Sequence, residues 1–112
     1  MNISQAAHGL ATGSLVRHDG TSYTASLADS AVHAEVVGIV SSVSDANNFT
    51  LLVAGIATLS GLTAGTVYFL SPSTAGSYTA TEPSTTTQIS KPVFIAVSTT
   101  QAVWINHRGI IL

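Results

Sequence analysis

Four histidines, His8, His18, His33 and His107, are the side chains of this sequence best suited to hold a metal or move a proton. None falls into an H-x-H, H-x3-H or H-E-x-x-H unit, so a zinc site would need ligands gathered from separate loops, and none is expected. His8 precedes a glycine turn, His18 borders another, and His107 adjoins Arg108, whose charge opposes a cation. Serine is too abundant to mark a nucleophile, and no Gly-x-Ser-x-Gly elbow occurs. His18 and Asp19 are turn neighbours that point apart. The carboxylates Asp19, Asp29, Glu35, Asp45 and Glu82 show no spacing that would face two of them across a substrate. Cysteine is absent, which removes disulfides, thiolate metal sites and cysteine nucleophiles together. The expectation is a protein that is not an enzyme and carries no cofactor and no metal.

Two glycine-rich pentads invite a phosphate-cradle reading, Gly9-Leu10-Ala11-Thr12-Gly13 and Gly61-Leu62-Thr63-Ala64-Gly65. Neither is followed by Lys-Ser/Thr or by a helix, so the Walker mechanism has no parts here. Their mechanical reading is better: Gly13 or Gly65 takes the left-handed position of a type II turn that launches the next strand. Leu10 and Leu62 would then plug a barrel end. Gly9, Gly20, Gly61 and Gly76 are the other expected turn glycines.

The pentads are also the mark of a duplication. Each runs into a strand, a turn and a Tyr-Thr-Ala, at Tyr23-Thr24-Ala25 and again at Tyr78-Thr79-Ala80. Further on, Glu35 to Val40 aligns with Lys91 to Ala96, and Val53-Ala54-Gly55-Ile56 with His107-Arg108-Gly109-Ile110. Two copies of one supersecondary unit are implied: residues 8–56 and 57–112 within a single β-domain of 112 residues. Residues 1–7 form an N-terminal arm with no strand or turn signal, expected to be mobile.

Short segments rich in β-branched and aromatic residues predict about eight strands: 14–17, 22–26, 35–43, 49–53, 67–71, 77–81, 93–99 and 102–106. Asp19-Gly20, Asp45 to Asn48 and Ala75-Gly76 supply hairpin turns. Residues 26–35 have room for one helical turn. The fold class is therefore all-β, a small sandwich or barrel built from two pseudo-repeated halves. Tyr23 and Tyr78 hold equivalent repeat positions and are expected to pack symmetrically rather than form a ligand platform.

Charged residues make up 7% of the chain, against about a quarter in ordinary globular proteins, and the formal net charge is −2. With Arg17, Lys91 and Arg108 as the fixed cations, there is too little positive charge for nucleic acid or for a basic membrane-surface helix. The apolar runs 51–59 and 93–97 are far short of the roughly 20 residues that span a bilayer, so no membrane partner is expected. Residues 1–7 lack a secretory pattern, which predicts synthesis in the cytoplasm.

The run Ala7 to Leu10, Gly13, Leu15-Val16, Asp19-Gly20, Ala28 to Ala31, Ala34 to Val40, Gly61 to Pro72 and Lys91 to Val93 resembles a small module of tailed-bacteriophage structural proteins, with Gly61 to Pro72 its most specific stretch. Such modules occur as stand-alone capsid proteins or within head and tail fibres. In size and architecture the chain is also similar to trimeric head-decoration proteins. A chain running from Met1 to Leu112 with no coiled-coil shaft favours decoration over fibre. The resemblance implies a capsid decoration or cement protein on the virion surface, a homotrimer partnered by the major capsid protein. The alternative is a tail, neck or head-fibre adhesin that contacts glycans. The expected capsid or subunit contacts are the arm residues Met1, Asn2, Ile3, Ser4 and Gln5, then Trp104, and the apolar tail Ile110, Ile111 and Leu112.

Overall fold

The computed structural model describes residues 1–105 and 109–111, the side chain of Ile111 excepted. The first half contributes β1 (Asn2–Ser4), β2 (Leu15–His18), β3 (Tyr23–Ala25), β4 (Gly38–Asp45) and β5 (Asn48–Leu52). The second contributes β6 (Ile56–Thr58), β7 (Val67–Leu70), β8 (Tyr78–Thr79), β9 (Ile89–Ser90), β10 (Pro92–Ala96), β11 (Gln101–Trp104) and β12 (Ile110–Ile111). They form two antiparallel five-stranded sheets, ordered β1-β5-β4-β2-β3 and β6-β11-β10-β7-β8, with β9 and β12 as a separate ribbon. The sheets pack as a sandwich, and neither closes into a barrel.

The two strand orders are one topology written twice. The register repeats with it: Leu15 faces Ile39 as Val67 faces Ile95, and Arg17 faces Thr24 as Phe69 faces Thr79. Both glycine-rich turns are braced identically. Ser14 N–H donates to the Ala11 carbonyl and Thr66 N–H to that of Thr63, while Gly13 and Gly65 donate to Val40 and Ala96 at 2.7 Å each. Gly13 and Gly65 sit at φ of 91° and 83°, the left-handed position that a type II turn reserves for glycine.

Three expectations need correction. Residues 2–4 are a strand hydrogen-bonded to β5, and the Met1 ammonium donates to the Leu51 carbonyl at 2.9 Å, so this stretch is built into the sheet rather than a free arm. Its counterpart is β6, since Asn2 pairs with Thr50 as Thr58 pairs with Gln101. The last repeat alignment was three residues out, because Ile39 faces Leu52 as Ile95 faces Val103, placing Leu52 over Val103. Leu10 and Leu62 plug no barrel: Leu62 belongs to the main core, and Leu10 packs on a second, smaller cluster. Residues 26–35 hold the single helical turn expected of them, closed by Ala34 N–H donating to the Ser30 carbonyl, and it does not continue into a helix.

Equivalent faces of the two halves do not meet. The main core joins Leu15 and Ile39 of the first sheet to Ala57, Tyr68, Leu70, Phe94, Ala96, Ala102 and Trp104 of the second. By register, Leu15, Ile39 and Leu52 correspond to Val67, Ile95 and Val103, which lie on the far side of the second sheet. The true counterparts of Tyr68, Ala96 and Ala102 are Val16, Val40 and Leu51, and these form the second cluster with Phe49. The halves therefore stack head to tail, the back of the first against the front of the second.

The front of the first sheet is closed by its own chain. Between Ser4 and Leu10 run Gln5, Ala6, Ala7, His8 and Gly9, where the second copy has Gly61 alone between Ser60 and Leu62. Gln5, at the β1 edge, pairs its side-chain amide with the Tyr23 backbone on the opposite edge, donating at 3.0 Å and accepting at 2.8 Å. The first sheet is thus curled about its own front. His8 and Tyr23 both set their rings edge-on to Phe49, at 5.0 and 5.9 Å.

Gly38 occupies the register position of Phe94, and a Cβ there would lie 2.6 Å from the Leu52 carbonyl oxygen and 2.9 Å from Leu51 Cδ1. Relief requires the β4–β5 pair to separate, an overpacking cost of about 3 kcal/mol. At Gly65 a Cβ meets nothing within 4 Å, leaving only the left-handed φ, about 1–2 kcal/mol. Thermal melts followed by circular dichroism should place Gly38→Ala below Gly65→Ala, and both below the parent.

Candidate functional site

Among the described residues, the histidines and aspartates sit in turns. Leu10 N–H donates to His8 Nδ1 at 2.9 Å, which leaves the proton on Nε2 to be donated to the Asp45 carbonyl at 2.8 Å. His18 Nδ1 likewise accepts from Gly20 N–H, and its ring stands edge-on to Tyr23 at 4.8 Å. His33 Nδ1 lies 2.8 Å from Asp29 Oδ1 in an exposed turn, a solvent-exposed contact that contributes little. His107 lies outside the described residues. Among the described residues no three His, Cys, Asp or Glu side chains converge as a metal site.

The carboxylates are equally local. Asp19 Oδ1 accepts from Thr21 and Ser22 N–H, and Asp45 Oδ1 from Asn47 N–H and the Asn48 amide. These bonds favour the charged form and hold both carboxyls below their ordinary range. Lys91 lies along the core with its stem covered; burial pushes its ammonium pKa down, and nearby Glu35 pulls it partly back.

The expected contact residues are scattered. Asn2 to Ser4 line the β1 edge, Met1 is 60% exposed, and Ile3 is half-buried on the second cluster. Gln5 is committed to Tyr23. Trp104, expected at an interface, is instead a core residue at 9% exposure, and its Nε1 has no hydrogen-bond partner among the described residues. Ile110 is exposed, on β12 against β9; Ile111 pairs with Ile89 there, and Leu112 lies outside the described residues. Tyr78 packs edge-on to Tyr68 and Phe94, while Tyr23 packs on the second cluster, so each serves its own half.

Two surfaces remain. One is an open groove of about 590 Å³ where the halves join, between the Ala11–Ser14 turn, Thr58 to Ser60 and Ala75 to Tyr78. Thr12, Ser14, Thr58, Ser60, Ser77 and Tyr78 line it together with small residues, a hydroxyl-bearing lining without carboxylate or imidazole.

The other is the back of the second sheet. Ile56 faces Val103, Val103 faces Ile95 and Ile95 faces Val67, a continuous apolar row across four strands. Ile56 and Val103 are 55% and 39% exposed, and Val97 beyond them is 53% exposed. No strand of this sheet carries a charged residue. Sequence reasoning missed this row, although β10 and β11 show the signal: apolar residues on both alternating faces mark a strand covered on both sides. The chain matches no protein-family model, no curated protein and no solved structure.

Because Asp45 titrates lower in the folded state than unfolded, its contribution is complete above the ordinary carboxylate pKa and is lost as pH falls through the lowered folded value. Asp45→Ala should therefore lower the melting temperature at pH 7, and the gap to the parent should close under strongly acidic conditions. A gap that stayed constant with pH would show that the carboxylate charge does not hold the turn.

Proposed function

We propose that this protein is a structural component of a tailed-phage virion: a capsid decoration or cement protein that binds the assembled head, associates as a homotrimer and ties subunits of the major capsid protein together. The observation that carries this reading is a folded body in which His8, His18, Asp19 and Asp45 are engaged in turns, while the strands of an entire five-stranded sheet carry no charged residue and expose Ile56 and Val103. Such a surface suits permanent, shape-matched packing, because it asks no charged group to give up its water. The resemblance of Gly61 to Pro72 to phage structural modules supports the same assignment, on the virion surface after synthesis in the host cytoplasm. Neither nucleic acid nor membrane is a partner in this reading, since the cations are few and no helix among the described residues is long and apolar enough to cross a bilayer.

The hydroxyl-lined groove favours a second reading, a tail, neck or head-fibre adhesin. Six hydroxyls without a charge suit a neutral polyhydroxylated ligand such as a host glycan.

Added to capsids that lack it, the protein should saturate a symmetric set of sites and raise the temperature at which the shells rupture. A ligand at one hundred times its Kd stabilises what it binds by about 2.7 kcal/mol per site. Attachment should survive about 1 M salt, where the Debye length is near 3 Å, because apolar contacts are not screened. Loss of binding at that salt would refute the apolar mechanism. Attachment to tails, or to immobilised glycans but not to heads, would establish the adhesin instead.

A further inference from the structure

The duplicated architecture sets a filled place in the first half against an open one in the second. In the β2–β3 hairpin, Asp19 N–H donates to the Ser22 carbonyl and Ser26 N–H to that of Leu15. Hydrogen-bonded pairs alternate along an antiparallel ladder, so Tyr23, next to Ser22, turns its N–H and C=O away from β2 to the free edge of the sheet. One side-chain amide takes both groups there: Gln5 Oε1 accepts from Tyr23 N–H at 2.8 Å, and Gln5 Nε2 donates to the Tyr23 carbonyl at 3.0 Å. A primary carboxamide carries its acceptor and its donor side by side, which is what the outer edge of a strand residue requires.

The register counterpart of Tyr23 is Tyr78, since Leu70 faces Tyr78 as His18 faces Tyr23. Ser71 N–H donates to the Ser77 carbonyl, and Leu70 N–H donates away from β8 to the Lys91 carbonyl, so the alternation is the same. Tyr78 therefore turns its N–H and C=O outward from the β8 edge, and neither is hydrogen-bonded to a described residue. Tyr78 lines the groove of about 590 Å³, and so do Thr58 to Ser60, the counterparts of Asn2 to Ser4. Gln5 follows Ser4 directly, whereas Ser60 is followed by Gly61, which has no side chain. The groove is thus walled by the two elements that Gln5 clasps in the first half, and the second copy has no residue to clasp them.

We propose that this groove recognises an extended segment of a protein partner, held by the primary carboxamide of a glutamine side chain on Tyr78 N–H and C=O as Gln5 is held on Tyr23. Backbone groups at a sheet edge are a recurrent anchor for extended peptides. With no carboxylate, ammonium or imidazole in its lining, the groove suits a neutral amide. The assignment is independent of where on a virion the protein sits, and it gives to an amide the groove that the adhesin reading gives to a glycan.

Amide-resolved NMR of the parent protein tests it. In the free protein Tyr23 N–H should exchange with solvent slowly and Tyr78 N–H fast. The peptide Ac-Ser-Gln-Ala-NHMe, whose one primary amide is the glutamine side chain, should produce saturable shifts centred on the Tyr78 amide and slow its exchange. Its leucine analogue, lacking both hydrogen bonds, should bind about 10-fold more weakly. Ser60→Trp, at an exposed position of the groove, should abolish the shifts while keeping the parent circular dichroism. Equal binding of the two peptides, shifts centred away from Tyr78, or no shift at about 10 mM peptide would overturn the proposal. Groove shifts with glucose or galactose and none with the glutamine peptide would overturn it in favour of the glycan.

Discussion

Burial of Leu15 and Ile39 in one cluster with Tyr68, Phe94 and Trp104 joins the two halves, and the rest of the molecule is arranged around that contact. Fully burying each such side chain contributes about 1.5–3 kcal/mol. Each half is a five-stranded sheet of short strands, and the main core draws on both, so each supplies part of the other's cover. The aromatic side chains are distributed to match. Tyr68, Tyr78 and Phe94 pack on one another within 5.5 Å on the front of the second sheet, and the Tyr68 hydroxyl reaches back to accept from Thr63 N–H, tying the core to the glycine-rich turn.

A head-to-tail arrangement creates a problem that a face-to-face sandwich lacks. When equivalent fronts meet, both are buried at once; when a back meets a front, one front and one back remain. The first half solves its share locally, with Gln5 clasping the two edges of the curled sheet and His8 and Leu10 laid over Phe49 and its neighbours. Here His8 acts as an aromatic wedge with a hydrogen bond at each ring nitrogen. The second half keeps its back open.

Much of this was legible in the sequence, and the losses have physical causes. The eight strands with clear β-branched content all form, as do the hairpins at Asp19-Gly20, Asp45 to Asn48 and Ala75-Gly76, because local turn chemistry and strand preference agree there. The strands that escaped notice, β1, β6, β9 and β12, are two or three residues long and are held by their partners rather than by propensity. Composition announced the duplication but not the direction of stacking, since Leu15 and Val16 are both apolar and only tertiary contacts decide which of them faces the other half. Trp104 was misplaced because the repeat alignment ran three residues out at this strand, so its position on the core side beside Ala102 went unread.

The insertion that separates the first copy from the second also gives the protein a polarity. Gln5 to His8, the residues with no counterpart in the second copy, lie outside the strands and close the front of the first sheet. One outer face of the stack is filled by its own chain and the other leaves Ile56 and Val103 in solvent, and that asymmetry resides in a handful of loop residues rather than in the sheets themselves.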